Sequence, residues 1–115
     1  MLRREALAEV GPLDDGFFFF FEDADWCFRA RAQGWRLGVV EGEPVRHAGS
    51  ATIGGLSRLK AAHYRAGYVR FLRKHARCPV LAAVPVTGGR LGIDLLCGRW
   101  AAIAGTIEGW KRGWA

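Results

Sequence analysis

The chain has 115 residues and a mass of 12.7 kDa, the size of one small domain. Half of its residues are hydrophobic and 24% are charged, a composition that excludes a disordered chain. The net charge of +6 is unevenly spread: residues 1–50 carry 6 basic and 9 acidic side chains, whereas residues 51–115 carry 11 and 2.

The longest stretch without a charged residue is 78–89, 12 residues. A membrane-crossing helix needs about 20 apolar residues, so none is expected. Met1-Leu2-Arg3-Arg4 is followed by Glu5 and Glu9 with no apolar core, unlike a signal peptide. Cys27, Cys78 and Cys97 fall in no metal-ligand spacing and read as reduced thiols in a cytosolic setting.

In chain order, residues 2–9 predict a short helix that Gly11 and Pro12 end. Asp14, Asp15 and Gly16 predict a turn. Five consecutive phenylalanines at 17–21 favour an extended strand with both faces covered, as in the interior of an α/β sheet. Residues 22–33 predict a helix with acids in its first turn, Arg29 and Arg31 near its end, and Gly34 as its stop. Two short extended pieces follow at 36–40 and 45–47. Residues 56–76 predict a basic helix with Ser57 as a possible N-cap and Ala61, Tyr64, Tyr68, Phe71 and Leu72 at helical spacing. Residues 80–86 form a short apolar run, Gly88 and Gly89 break the chain, and 91–105 predict a last helix before a tail rich in Trp and cations.

The densest chemical signal is Glu22-Asp23-Ala24-Asp25, placed at the end of the predicted strand, where α/β folds build their sites. A carboxylate there is a candidate general base. Acids at a helix N-terminus also serve plain capping, and Asp25 with Arg29 forms an i,i+4 ion pair, the preferred reading for Asp25. His47 lies 24 residues after Asp23. A helix of ~11 residues runs about 16 Å out at ~1.5 Å per residue, and a strand of ~5 residues returns about the same distance. His47 is therefore a candidate metal ligand beside Asp23, although one histidine and one carboxylate make no metal site alone.

These residues carry a resemblance. The runs Leu2-Arg3-Arg4-Glu5-Ala6-Leu7, Val10-Gly11 and Asp14, then Phe19-Phe20-Phe21-Glu22-Asp23-Ala24-Asp25-Trp26-Cys27-Phe28-Arg29-Ala30-Arg31-Ala32-Gln33-Gly34-Trp35, then Val45-Arg46-His47, closely resemble family 2 glycosyltransferases of the bacterial rhamnosyltransferase and galactofuranosyltransferase type. The likeness continues more loosely through Phe71-Leu72-Arg73-Lys74-His75 and the Gly105 to Gly109 ending. It implies an α/β GT-A fold and a single inverting displacement that moves a sugar from a nucleotide-sugar donor to a glycan or lipid-linked acceptor. It implies Asp23 as the catalytic base, Glu22 as its supporting partner, and His47 as a residue that helps hold Mg²⁺ or Mn²⁺.

The family's donor-binding half and its main Asp-x-Asp metal motif have no counterpart here. Residues 1–50 therefore match only the acceptor-side, catalytic-base segment of a GT-A domain, with 51–115 as a basic helical tail. The resemblance implies a carboxyl-terminal fragment, inactive alone, whose amino-terminal half is a possible missing partner. Its expected setting is cell-envelope polysaccharide synthesis at the cytoplasmic face of the plasma membrane. The alternatives are a non-catalytic remnant or partner subunit, and a basic membrane-surface module.

Between residues 58 and 77 stand seven cations and no acid. A solvated helix face explains them, as does an anionic membrane surface with Tyr64, Tyr68 and Phe71 as the apolar side, which is the favoured reading. Nucleic acid is the least favoured partner, because no reader motif accompanies the charge.

Overall fold

The computed structural model describes residues 2–39, 41–42 and 57–115. These form five helices: α1 (Arg4–Val10), α2 (Glu22–Ala32), α3 (Arg58–His75), α4 (Pro79–Leu96) and α5 (Trp100–Trp114). No strand occurs among the described residues, so the expected α/β GT-A sheet is overturned.

The phenylalanine run explains the failure. A strand needs a ladder partner, and none is present among the described residues. Phe20 and Phe21 instead adopt left-handed backbone, at φ 72° and 71°, a conformation that costs an L-residue roughly 1–2 kcal/mol. The run bends around α3 and feeds directly into α2. The cover that a sheet would have given comes from aromatic rings on α3. The Phe21 ring centroid lies 5.2 Å from Tyr64, 5.8 Å from Tyr68 and 5.8 Å from Phe71. Residues 36–39 are also outside any strand, while 45–47 lie beyond the described residues.

α1 and α2 bury Ala6, Val10, Trp26 and Ala30 against each other. Arg29 ties the pair together: its Nη1 donates to the Val10 carbonyl at 2.7 Å and its Nη2 to that of Pro12 at 2.7 Å. The Trp26 indole donates to the Gly11 carbonyl at 2.9 Å. Gly34, at φ 88°, follows α2 as expected.

α3 begins where the sequence placed it. The Ser57 hydroxyl accepts from the Lys60 amide at 3.1 Å and caps the helix. α5 runs parallel to α3 at very close range. A Cβ on Gly105 would stand 2.1 Å from the Arg58 carbonyl oxygen, and one on Gly109 would stand 2.2 Å from that of Ala62. Glycine at every fourth position is what lets the two backbones approach. α4, which joins them in the chain, runs back antiparallel alongside, with Tyr68 donating to the Ala82 carbonyl at 3.4 Å and Arg65 to Thr87 at 3.0 Å.

The expected break at Gly88 and Gly89 does not occur, because α4 continues through both. A helical glycine costs only about 1 kcal/mol relative to alanine, which eighteen residues of continuous helix absorb. The helix ends just before Gly98 instead, which is in the left-handed region at φ 65°. As a consequence α4 is, by length and composition, long and apolar enough to cross a membrane, contrary to the expectation from charge-free run length.

Candidate functional site

The acidic segment opens α2, and its three carboxylates end in three different environments. Asp23 is exposed, and among the described residues its Oδ1 accepts only the neighbouring Ala24 amide, at 2.7 Å. Glu22 is half-buried, and its Oε2 has no hydrogen-bond partner among the described residues. Asp25 is fully buried at 0% exposure.

Asp25 is the centre of a charged network. Arg29 Nε donates to its Oδ2 at 2.9 Å, the expected i,i+4 pair. Lys74 Nζ lies 2.8 Å from Oδ1, and His75 Nε2 lies 2.7 Å from the same oxygen. Burial acts to raise the Asp25 pKa, but the hydrogen bonds from Lys74, His75 and Arg29 outweigh it and hold the carboxyl at about 2. Lys74 also reaches Asp14 Oδ2 at 2.7 Å. Burial disfavours its charge, yet bonds to Asp14 and Asp25 prevail and raise its pKa.

Lys74 and His75 belong to the Phe71 to His75 run of the family resemblance, but sequence alone does not mark them as site residues, because it does not show that this end of α3 packs on α2.

A cleft of about 620 Å³ opens between the phenylalanine run, α3 and the end of α5. Its walls include Arg70, Arg73, Lys74 and Arg112, with Asp14 as the acidic side chain. Three of these cations are engaged. Lys74 is bonded as above, Arg73 Nη1 donates to the Gly113 carbonyl at 2.9 Å, and Arg112 pairs with Glu108. Arg70 makes no direct salt bridge among the described residues, though its charge helps hold the Asp14 carboxyl down, and it rests 5.7 Å from the Phe17 ring centroid. The arrangement suits a polyanionic group such as a diphosphate.

Asp23 and Glu22 do not line this cleft. His47 lies outside the described residues, so its approach to Asp23 is not described. No three His, Cys, Asp or Glu side chains converge as a metal site among the described residues. The described residues do not fit a divalent ion. The three cysteines carry no disulfide.

The aromatic face of α3 is largely occupied. Tyr64, Tyr68 and Phe71 stack on Phe20 and Phe21, and Phe28 packs edge-on to Phe71 at 5.3 Å.

Comparison with known proteins links the chain to sugar transfer. It resembles a rhamnosyltransferase. Over 77 residues, 66% of this chain, it is 29% identical to the N-acetylglucosaminyl-diphospho-decaprenol L-rhamnosyltransferase of Mycobacterium tuberculosis, in both the CDC 1551 / Oshkosh and the ATCC 25618 / H37Rv strains. The matched region is 25% of those curated relatives' length. No protein-family profile matches the chain, and no solved structure does.

Proposed function

We propose that this chain is the acceptor-side portion of an inverting glycosyltransferase of cell-envelope polysaccharide synthesis, which acts at the inner face of the plasma membrane once joined to a donor-binding half. The similarity to the mycobacterial rhamnosyltransferase carries the reading. Two features of the site support it. Asp23 is an exposed carboxylate at a helix N-terminus, open to an incoming hydroxyl. The cationic cleft offers Arg70 and its neighbours to the diphosphate of a lipid-linked acceptor, the group named in that relative.

In this reaction the acceptor hydroxyl loses its proton to the Asp23 carboxylate. Its oxygen bonds to the anomeric carbon of the donor sugar. The bond from that carbon to the nucleoside diphosphate breaks, and its electron pair leaves with the diphosphate. The work of Asp25 is different: tied to three cationic or basic groups, it fixes α2 against α3 and so sets where Asp23 stands.

A non-catalytic subunit that only presents the acceptor is the second reading, favoured by the absence of Asp23 and Glu22 from the cleft walls. Two measurements decide between them. Titration with a prenyl-diphosphate-linked sugar should show binding, weakened on the order of tenfold by Arg70→Gln, since hydrogen bonds to charged groups contribute ~1.5–3 kcal/mol. With a donor-side partner supplied, transfer of sugar should then vanish in Asp23→Asn while acceptor binding persists. Full turnover in that variant excludes Asp23 as the base, and absence of acceptor binding excludes both readings.

A further inference from the structure

α4 is built inside out. Its polar side chains all point inward: Thr87 and Asp94 are buried, and Arg90 is half-buried and bonded to Asp94 at 2.8 Å. Arg65 of α3, itself buried, reaches in to Thr87, whose hydroxyl bonds in turn to the Ala83 carbonyl at 2.7 Å. Its exposed face carries Leu81, Val84, Pro85, Val86, Ile93, Leu95 and Leu96, with glycines at 88, 89 and 92, and no polar or charged side chain. Leu81 is 74% exposed and Leu96 is 89% exposed. A helix on the outside of a bundle in water shows the opposite pattern, with apolar residues inward and charges outward. Arg65 Nε and Asp94 Oδ1 make no hydrogen bond among the described residues, but the polar groups still lie inside. Polar groups inside and aliphatic groups outside are the arrangement of a helix whose outer solvent is hydrocarbon.

We infer that α4 is embedded in a lipid bilayer through its outward face, lying in the plane of the membrane. Its length would allow it to span. The neighbours forbid that orientation. α3 packs alongside α4 and carries Arg58, Lys60, Arg70, Arg73 and Lys74, and each cation drawn to the bilayer centre costs at least about 2.5 kcal/mol. Lying flat keeps α3 in the aqueous phase and submerges only the aliphatic side. Arg77 just before α4 is exposed and placed for lipid phosphates, whereas Arg99 just after it turns back to Asp94 at 3.6 Å. Neither α1 nor α2 packs extensively on α4, so this face is uncovered among the described residues.

The inference is independent of sugar transfer, and its readout is separate from acceptor binding. The full chain is mixed with vesicles of phosphatidylcholine and phosphatidylglycerol and sedimented. Binding should survive about 1 M salt, where the screening length is ~3 Å. The double variant Leu81→Glu, Leu96→Glu should keep its helical circular dichroism and bind on the order of tenfold more weakly or less. Cys78 and Cys97, both exposed at the two ends of α4, are labelled one at a time with the other thiols replaced by serine. Both labels should be quenched at similar depth, from the same side of the bilayer. Binding that vanishes in salt or ignores the glutamates overturns the inference, as do labels reporting from opposite sides. So does a concentration-dependent dimer without vesicle binding, which would assign the face to a second copy.

Discussion

His75 Nε2 stands 2.7 Å from Oδ1 of Asp25, a residue 50 positions earlier in the chain. This contact, with the Lys74 bond to the same oxygen, joins the acidic segment of residues 22–25 to the end of the basic helix. The two oppositely charged parts of the sequence meet here through a buried ion network.

The network predicts a specific acid sensitivity. Asp25 is depressed from its ordinary 3.8 to about 2, so the folded state favours its ionised form. The associated stability is fully present above pH ~4 and is lost as pH falls through about 2, an amount of about 2 kcal/mol by linkage. Urea unfolding at pH 7 and between pH 4 and 2 measures it. Asp25→Asn should be destabilised at pH 7 by about 2–3 kcal/mol, as expected for losing charged hydrogen bonds at a buried group, and should show a flatter acid limb. An unchanged limb would remove Asp25 as its origin.

Asp23 predicts the contrary. It is exposed and, among the described residues, bonded only to its neighbour's amide. Asp23→Asn should change stability by no more than ~0.5 kcal/mol in the same titration. Loss of sugar transfer in that variant is then a chemical effect, not an unfolding one. A large drop in stability would assign Asp23 a structural role.

The phenylalanine run is asymmetric. Phe17 is 5% exposed and Phe18 is 79% exposed. Phe17→Ser should cost about 3 kcal/mol, in the range of large core truncations, and Phe18→Ser under ~0.5 kcal/mol. A two-sided interior strand would make both substitutions costly, so equal losses in thermal unfolding would restore the sheet.

The α3–α5 contact predicts opposite signs for one kind of substitution. Gly109→Ala places a methyl 2.2 Å from the Ala62 carbonyl oxygen and should destabilise by roughly 1–3 kcal/mol. Gly88→Ala meets nothing within 4 Å in the middle of α4 and should stabilise by up to about 1 kcal/mol. Denaturant midpoints of the two variants test this directly.

Local rules were legible in the sequence where local physics decides. Helix α2, its acidic first turn and its Gly34 stop followed from composition and spacing. So did the Ser57 cap of α3 and the Asp25–Arg29 pair. The candidate base Asp23 was legible only through the resemblance; the partial similarity to a rhamnosyltransferase concerns the chain and not this residue.

What the sequence determined by itself was the charge division, −3 over residues 1–50 and +9 over 51–115, and most of the helices. Tertiary structure decided what those charges meet and which faces are covered. The five phenylalanines looked like a strand because propensity measures a residue's fit to a pleated surface, yet the available surface was α3. Gly88 and Gly89 looked like a break because a local penalty cannot be weighed against a helix it does not see. The inverted polarity of α4 was hidden for the same reason: a run of apolar residues does not say which side faces protein until Arg65 arrives from another helix to claim Thr87.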